Sequence, residues 1–407
     1  MKITLNGMNN RAKPEALPTP TPEFPYHRAR NAVNVLFDDV GNTRMPRPGR
    51  TLRYAGDCHS LYATNDVTLF VEGENLKRLN DDDTTEILLS GVGDHPISYC
   101  TVGDTVYFAC NAATGKFKDG AAIEWGTHVP PRQPDVIASK FGGLHAGTYR
   151  VAITWIGDEE SGTRNSAKVT IAEGEGVYLY NFPTPPAYVS AIGVYVSSVN
   201  SKELYLYGEF RPGLDELTIN RRICSIPLDT QFMFPPSPIS GPMVAHYGRI
   251  YYAIDAVLFW TEAFRYGLQK AGNNWLFDSP IQTIVSCPNT LYVGTEKTLS
   301  KITLIDNDQP PDIEVLQNCK TVKGSECHNP DGEFAYIMSD RGFLQLSPDK
   351  VVEISYTQCA IPFFKRGAMT VTEYNGLNYL VFTGQDGTQN PLADVAYNAA
   401  ELARNSL

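Results

Sequence analysis

The sequence has few charged residues and no long segment typical of helices. Of its 407 residues only 19% are charged and 42% are hydrophobic, and extended stretches of Ala, Leu, Glu and Lys are missing. Instead, the chain contains 22 Tyr, 18 Phe, 33 Gly and 28 Pro. Aromatic residues favour strands, and Gly and Pro favour turns. The composition therefore predicts an all-β protein, and the length favours two domains because it exceeds what one core usually holds.

Runs of Lys and Arg are also missing, and the net charge is −11. Proteins that grip the phosphates of nucleic acids present basic patches, so this charge argues against non-specific DNA binding. An acidic channel through which DNA passes without binding remains compatible with it, because like charges repel.

The chain lacks a long uninterrupted apolar segment. Its first residues, MKITLNG, contain neither the apolar core nor the cleavage site of a signal peptide. The uncharged stretch 177–201 is interrupted by Pro183, Pro185 and Pro186, and its apolar residues alternate. This pattern predicts two strands and a turn, not a membrane span. We therefore expect a chain made in the cytoplasm without a membrane span.

Spacings typical of catalytic or metal sites are missing as well. No Cys-x-x-Cys or His-x-x-x-His occurs, which argues against zinc. Cys58 and Cys327 each precede a histidine, but neighbouring residues on a strand point to opposite faces. The sequence thus predicts no enzyme and no catalytic, metal or cofactor site. The eight cysteines are expected to be free, mostly buried thiols: Cys58, Cys100, Cys110, Cys224, Cys287, Cys319, Cys327 and Cys359.

A repeated unit runs along the chain: a polar turn followed by a strand centred on an apolar–aromatic pair. Its six instances are 65–71 (NDVTLFV), 103–108 (GDTVYF), 247–252 (YGRIYY), 288–293 (PNTLYV), 331–337 (DGEFAYI) and 375–380 (NGLNYL). Their marker aromatics are Phe70, Tyr107, Tyr251, Tyr292, Tyr336 and Tyr379.

The spacing of these markers indicates the fold. Successive differences are 37, 144, 41, 44 and 43 residues, and four of the five approach the period of about 40–50 residues of four-stranded propeller blades. One blade cannot bury both of its faces alone, so blades stack radially. The sequence predicts a β-propeller of about six blades, with an irregular sandwich as the alternative. The one long interval indicates an inserted domain.

The inserted domain is predicted to be a fibronectin type III-like β-sandwich. Pro130, Pro131 and Pro134 mark the entry, and short alternating strands follow around a central Trp155. The predicted domains are an N-terminal arm with the first or closing propeller strands (1–57), the first propeller part (58–131), the sandwich (132–212), the second propeller part (213–388) and a C-terminal helix (389–407).

Two segments fit poorly into a closed blade and are candidates for contacts between subunits. The first is an extended basic arm, and the second is a helix that Asn390 and Pro391 begin and that carries one apolar stripe. The candidate interface residues are Arg44, Arg47, Arg50 and Arg53 in the arm and Leu392, Val395, Ala399 and Leu402 in the helix.

Several short motifs together resemble one family. They are 6–14 (NGMNNRAKP), 31–35 (NAVNV), Gly49-Arg50, 144–149 (LHAGTY), 247–252 (YGRIYY), 258–262 (LFWTE), 339–342 (SDRG) and 392–394 (LAD). In this order they resemble the tail tubular or nozzle proteins of short-tailed bacteriophages, the tail tubular protein B-like β-propeller proteins.

The resemblance implies a structural protein of the virion tail that forms the distal channel for DNA ejection. It implies a cyclic ring of identical subunits, with a hexamer as the expected ring. The implied neighbours are a tail adaptor protein above and fibre or needle proteins below, with viral DNA passing without specific binding. The resemblance supplies no catalytic residues.

Two other functions remain open at this point. A tail receptor- or glycan-binding protein would use the inserted sandwich for contact. A propeller glycosidase or sialidase would need paired carboxylates or an arginine cluster in the central channel. The arginines at 44–53 are interpreted as a contact arm. The run Asp81-Asp82-Asp83 is interpreted as a solvated turn, and 339–342 lacks the later Trp of a sialidase motif.

Overall fold

In the computed structural model, structure is described for residues 4–8, 26–29, 35–37, 44–46, 53–221, 225–239, 241–303, 312–329, 332–353, 364–374 and 377–385. Within these ranges no residue is helical, so none of them belongs to a helix that could cross a membrane. The predicted C-terminal helix lies outside them. Near the N-terminus, β1 (Thr4–Met8) pairs in parallel with β2 (Tyr26–Ala29), and β3 (Val35–Phe37) pairs antiparallel with β4 (Arg44–Pro46).

The first propeller part forms two antiparallel blades whose strands follow each other in chain order. The first blade contains β5 (Cys58–Ala63), β6 (Thr68–Glu72), β7 (Asn75–Leu79) and β8 (Thr85–Ser90). The second contains β9 (Ser98–Val102), β10 (Thr105–Ala109), β11 (Thr114–Lys118) and β12 (Ala121–Ile123).

A seven-stranded sandwich interrupts the propeller after the second blade. Its strands are β13 (Asp135–Ser139), β14 (Gly147–Ile156), β15 (Ala167–Ile171), β16 (Gly176–Tyr180), β17 (Ala191–Ser197), β18 (Leu204–Phe210) and β19 (Glu216–Ile219). One sheet has the order β13-β16-β19 and the other β15-β14-β17-β18. Trp155 lies in the core between them, as expected for the predicted fibronectin type III-like sandwich.

The sandwich extends beyond its predicted end at residue 212. Strand β19 begins at Glu216 and pairs antiparallel with β16, and its Ile219 is buried in the sandwich core. The predicted boundary at 212 is too early because a turn at Pro212-Gly213 separates β18 from β19. Excision of residues 132–212 would therefore remove β16, the partner of β19, and would expose the apolar face of β19.

Three more blades follow, together with a two-stranded pair of β20 (Met233–Phe234) and β24 (Gln269–Lys270). The third blade has β21 (Met243–His246), β22 (Arg249–Ile254), β23 (Val257–Trp260) and β25 (Asn274–Leu276). The fourth has β26 (Ile281–Cys287), β27 (Thr290–Thr295), β28 (Leu299–Thr303) and β29 (Asp312–Gln317). The fifth has β30 (Cys327–His328), β31 (Ala335–Ser339), β32 (Gly342–Leu346) and β33 (Val351–Glu353). A hairpin of β34 (Arg366–Tyr374) and β35 (Leu377–Gln385) ends the described chain.

The sequence repeat marks the same position in every blade. Each of the six marker aromatics lies on the second strand of its sheet: Phe70 on β6, Tyr107 on β10, Tyr251 on β22, Tyr292 on β27, Tyr336 on β31 and Tyr379 on β35. Before Phe70, Tyr107, Tyr251 and Tyr292, the polar residues form or flank the turn from the first strand. The prediction of an all-β propeller interrupted by a sandwich is thus confirmed.

Successive side chains of each second strand pack in different cores, which explains why the blades stack. On β10, Val106 and Phe108 pack in a core shared with the first blade, whereas Tyr107 and Ala109 pack against the third. On β27, Leu291 faces the third blade and Tyr292 faces the fifth. Because successive side chains point to opposite faces, each strand contributes to two cores and is buried on both sides.

Candidate functional site

The first strands of the blades surround a central cavity of about 1700 Å³. Much of its lining comes from β5, β9, β21, β26, β30 and β34, the first strands of their sheets, and β35 adds Val381 and Thr383. The lining includes three histidines, His59, His246 and His328, and two carboxylates, Asp94 and Glu326.

A chain of hydrogen bonds crosses from the third blade to the fifth. The His246 Nδ1 atom lies 2.8 Å from the Ser286 hydroxyl oxygen, and His328 Nε2 donates to the Ser286 carbonyl at 2.8 Å. Ser286 belongs to β26, so one residue of the fourth blade connects both neighbours. This arrangement links blades at the cavity wall.

The pair of Ser286 and His246 is incomplete as a nucleophilic site. Such a site needs a third group that orients the imidazole, usually a carboxylate. The His246 Nε2 atom is buried and has no hydrogen-bond partner in the described part of the chain. Burial lowers the pKa of His246 to about 4, so its ring is neutral near pH 7. The geometry supports a structural contact between blades.

The lowered pKa of His246 predicts a pH dependence of stability. Its folded-state pKa lies below the ordinary value of 6.5, so the unfolded state binds the extra proton first. The stability that depends on a neutral His246 is fully present above about pH 6.5 and is lost as the pH falls towards 4. Replacing His246 with Gln is expected to reduce the slope of unfolding free energy against pH in this window by up to about 1.4 kcal/mol per pH unit. Urea titrations at several pH values measure this slope, and an unchanged slope would contradict the assignment.

Glu326 is a carboxylate of the cavity wall with a raised pKa. Burial raises the pKa of Glu326 to about 7, and its enclosed Oε2 atom has no hydrogen-bond partner among the described residues. Burial also raises the pKa of the neighbouring Cys327 thiol to about 12, which argues against a reactive thiolate. A glycosidase would pair two carboxylates across its substrate. The other described carboxylate of the lining is Asp94, which lies 3.0 Å from His59.

Three sequence features that could suggest a functional site have structural roles in the described chain. Asp82 accepts the Thr84 backbone N–H at 3.1 Å, which makes the acidic run a solvated turn, as predicted. Ser339 accepts the Arg341 N–H at 3.1 Å in the turn between β31 and β32. The six described cysteines are free, and four of them are buried: Cys100, Cys110, Cys287 and Cys319.

The predicted interface residues are only partly described. Arg44 begins β4, and the Arg53 Nε atom donates to the Asp83 carboxylate of the first blade at 2.6 Å. Arg53 therefore anchors its segment within the same chain. The other six candidates lie outside the described residues, so their contacts stay a prediction: Arg47, Arg50, Leu392, Val395, Ala399 and Leu402.

The junction between the sandwich and the propeller is a polar cluster that the sequence did not predict. The loop after β14 inserts Asp158, whose carboxylate lies 2.8 Å from the buried Lys116 ammonium of the second blade. The next residue, Glu159, accepts the Gly267 N–H at 3.1 Å beside the third blade. A small cavity of about 280 Å³ adjoins this loop. Its acidic residues already have protein partners, and no group of three His, Cys, Asp or Glu in the described residues could hold a metal ion.

Comparison with known proteins shows similarity of fold only. No family model matches, and no curated protein does. The β-propeller domain of Cps50 (Swd1) from Myceliophteria thermophila is 9% identical, with a TM-score of 0.32 over 74% of this chain and 87% of that one. Apo AztD from Citrobacter koseri is 7% identical, with a TM-score of 0.31 over 80% of each chain. A putative 6-phosphogluconolactonase from Bacteroides uniformis is 11% identical, with a TM-score of 0.29 over 80% of this chain and 93% of that one.

Proposed function

We propose that this chain is a structural protein of a short bacteriophage tail, where it forms the nozzle ring through which DNA leaves the virion. The observation that supports the proposal is the division of the propeller by a sandwich after the second blade. This is the architecture that the ordered motif resemblance implies. The net charge of −11 also suits a conduit that repels the DNA backbone.

The described cavity wall is consistent with this proposal. Among the described residues, the serine–histidine pair has no orienting carboxylate and does not complete a nucleophilic site. We therefore propose assembly as the function and assign no catalysis. The neighbours in this proposal are further copies in a cyclic ring, a tail adaptor and fibre or needle proteins.

Ring formation tests the proposal through the two predicted contact segments. Val395→Asp is expected to leave the subunit folded but to prevent ring formation, because it buries a charge in an apolar seam. Arg47→Glu with Arg50→Glu is expected to weaken rings less, since exposed ion pairs contribute under about 1 kcal/mol each. Light scattering measures the oligomer, and microscopy scores tails in particles.

Conservative variants provide the matched controls. Val395→Leu and Arg47→Lys with Arg50→Lys keep the apolar seam and the positive charge, so rings should form as in the unchanged protein. If Val395→Asp and the arginine reversals both build complete tails at normal yield, the proposed interface is wrong. Turnover of a glycan by the unchanged protein would instead favour the glycosidase alternative.

A further inference from the structure

The two outer faces of the sandwich differ in how they are covered. On the four-stranded sheet, Ala152, Tyr195 and Leu204 pack with Leu228 from the segment that returns to the propeller. This segment also bonds to β18, where the Leu228 N–H donates to the Leu204 carbonyl at 2.9 Å. No segment of the described chain covers the outer face of the three-stranded sheet in this way, and its side chains are exposed or half-buried.

The open face carries an ordered set of aromatic and acidic residues. Asp135, Tyr180 and Glu216 lie directly opposite one another on β13, β16 and β19. In the next row, Tyr178 lies between Ile137 and Thr218. Residues directly opposite on paired strands point to the same face, so both rows face solvent.

The two tyrosines form an offset stack on this face. Their ring centroids are 5.7 Å apart and their planes differ by 19°. Rings at this spacing are displaced sideways rather than superposed, so part of each ring surface stays uncovered. Tyr180 is 38% exposed. The pair thus offers a flat aromatic surface between two strands that carry carboxylates.

The polar groups around the stack are held in place by the protein. The Tyr178 hydroxyl donates to one oxygen of Glu216, and the Asn181 amide donates to one oxygen of Asp135 at 2.9 Å. Arg132 in turn donates to both the carbonyl and the side-chain oxygen of Asn181, at 2.6 and 2.9 Å. The second oxygen of each carboxylate has no hydrogen-bond partner among the described residues and can accept one from a ligand.

We propose that this open face is a binding surface for a non-acidic saccharide. A sugar ring has an apolar C–H face that packs on an aromatic ring, and hydroxyls at its rim that donate to carboxylates. Asp135 and Glu216 flank Tyr180 in register and supply these acceptors. Their negative charge repels uronic and sialic acids, so neutral sugars are selected.

The inference is independent of ring formation and has its own measurement. Affinity gel electrophoresis of the full chain uses dextran, hydroxyethyl cellulose and galactomannan as neutral probes, with alginate and hyaluronan as acidic ones. At least one neutral polymer is expected to retard the protein, and the acidic polymers are not. Tyr180→Ala should weaken retardation by roughly tenfold or more, because the stacking surface is lost.

Two further variants make the test specific. Phe264→Ala removes a ring that is 80% exposed on the third blade, so retardation should not change. Asp135→Asn with Glu216→Gln keeps hydrogen-bonding groups but removes the charges, so discrimination against alginate and hyaluronan should fall. Circular dichroism confirms that each variant stays folded, and Tyr180→Leu provides a second aromatic deletion that keeps an apolar side chain.

Two outcomes would overturn the proposal. The first is that no neutral polymer retards the protein; if the Tyr180 variants then also fail to form rings, the face is a protein contact. The second is retardation that persists unchanged in both Tyr180→Ala and Tyr180→Leu.

Discussion

Replacing Tyr292 with Ala is expected to lower the free energy of unfolding by about 3–5 kcal/mol. The side chain is 1% exposed and packs between the fourth and fifth blades with Val285, Ile337 and Leu344. Its hydroxyl donates to the Ser347 carbonyl at 2.6 Å. The substitution removes apolar contacts from a shared core and leaves a cavity, because close-packed strands relax little. Chemical denaturation followed by circular dichroism measures the change.

Two substitutions separate packing from hydrogen bonding at this position. Tyr292→Phe keeps the ring and removes only the bond to Ser347, so a loss of about 1 kcal/mol is expected. Tyr336→Ala alters the equivalent marker of the fifth blade, where the ring is half-buried, and should cost less than Tyr292→Ala. If Tyr292→Ala costs no more than Tyr292→Phe, the repeat aromatics do not hold the blades together.

Replacing Asp158 with Asn is expected to destabilise the protein by about 3 kcal/mol. The Lys116 side chain is 5% exposed, and its ammonium would lose the partner that compensates its charge. The expected value lies at the low end for a buried pair because Asp158 itself is partly open to water. Lys116 holds the pKa of Asp158 below its usual range, so this stabilisation is present above the unfolded pKa of about 3.9 and is lost as the pH falls below it.

A double substitution distinguishes an unpaired charge from damaged packing. Lys116→Met with Asp158→Asn removes both charges and keeps most of the lysine volume, so it should recover much of the loss. Unfolding in urea compares the unchanged protein, Asp158→Asn and the double variant. A double variant as unstable as Asp158→Asn would mean that the loop geometry, and not charge compensation, connects the sandwich to the propeller.

The repeat could be predicted from sequence because it depends on local patterns. A polar turn followed by an aromatic strand marks Phe70, Tyr251 and Tyr292 alike, and the alternation on these strands shows that both faces need a partner. The end of the sandwich could not be located in the same way. Glu216–Ile219 is short, and only its pairing with β16 assigns it to the sandwich and not to the next blade.

The sites were less predictable than the fold because they depend on contacts between distant segments. Lys116 and Asp158 belong to different domains, and neither lies in a motif that signals the ion pair. His246 and Ser286 meet because their strands are neighbours at the cavity. The alternating tyrosines at 178 and 180 did predict a strand. Their acidic neighbours across the sheet became visible only with the register of β13 and β19.

The second and third blades share a core, yet the ribosome completes them at different times. The second blade ends with β12 at Ile123, and the third begins with β21 at Met243. At about 5–20 residues per second, this interval lasts on the order of ten seconds. During it, Tyr107 and Trp125 have no third blade to cover them. The sandwich emerges in between, and its loop can already bind Lys116. The first two blades therefore have a folded neighbour before the third blade exists.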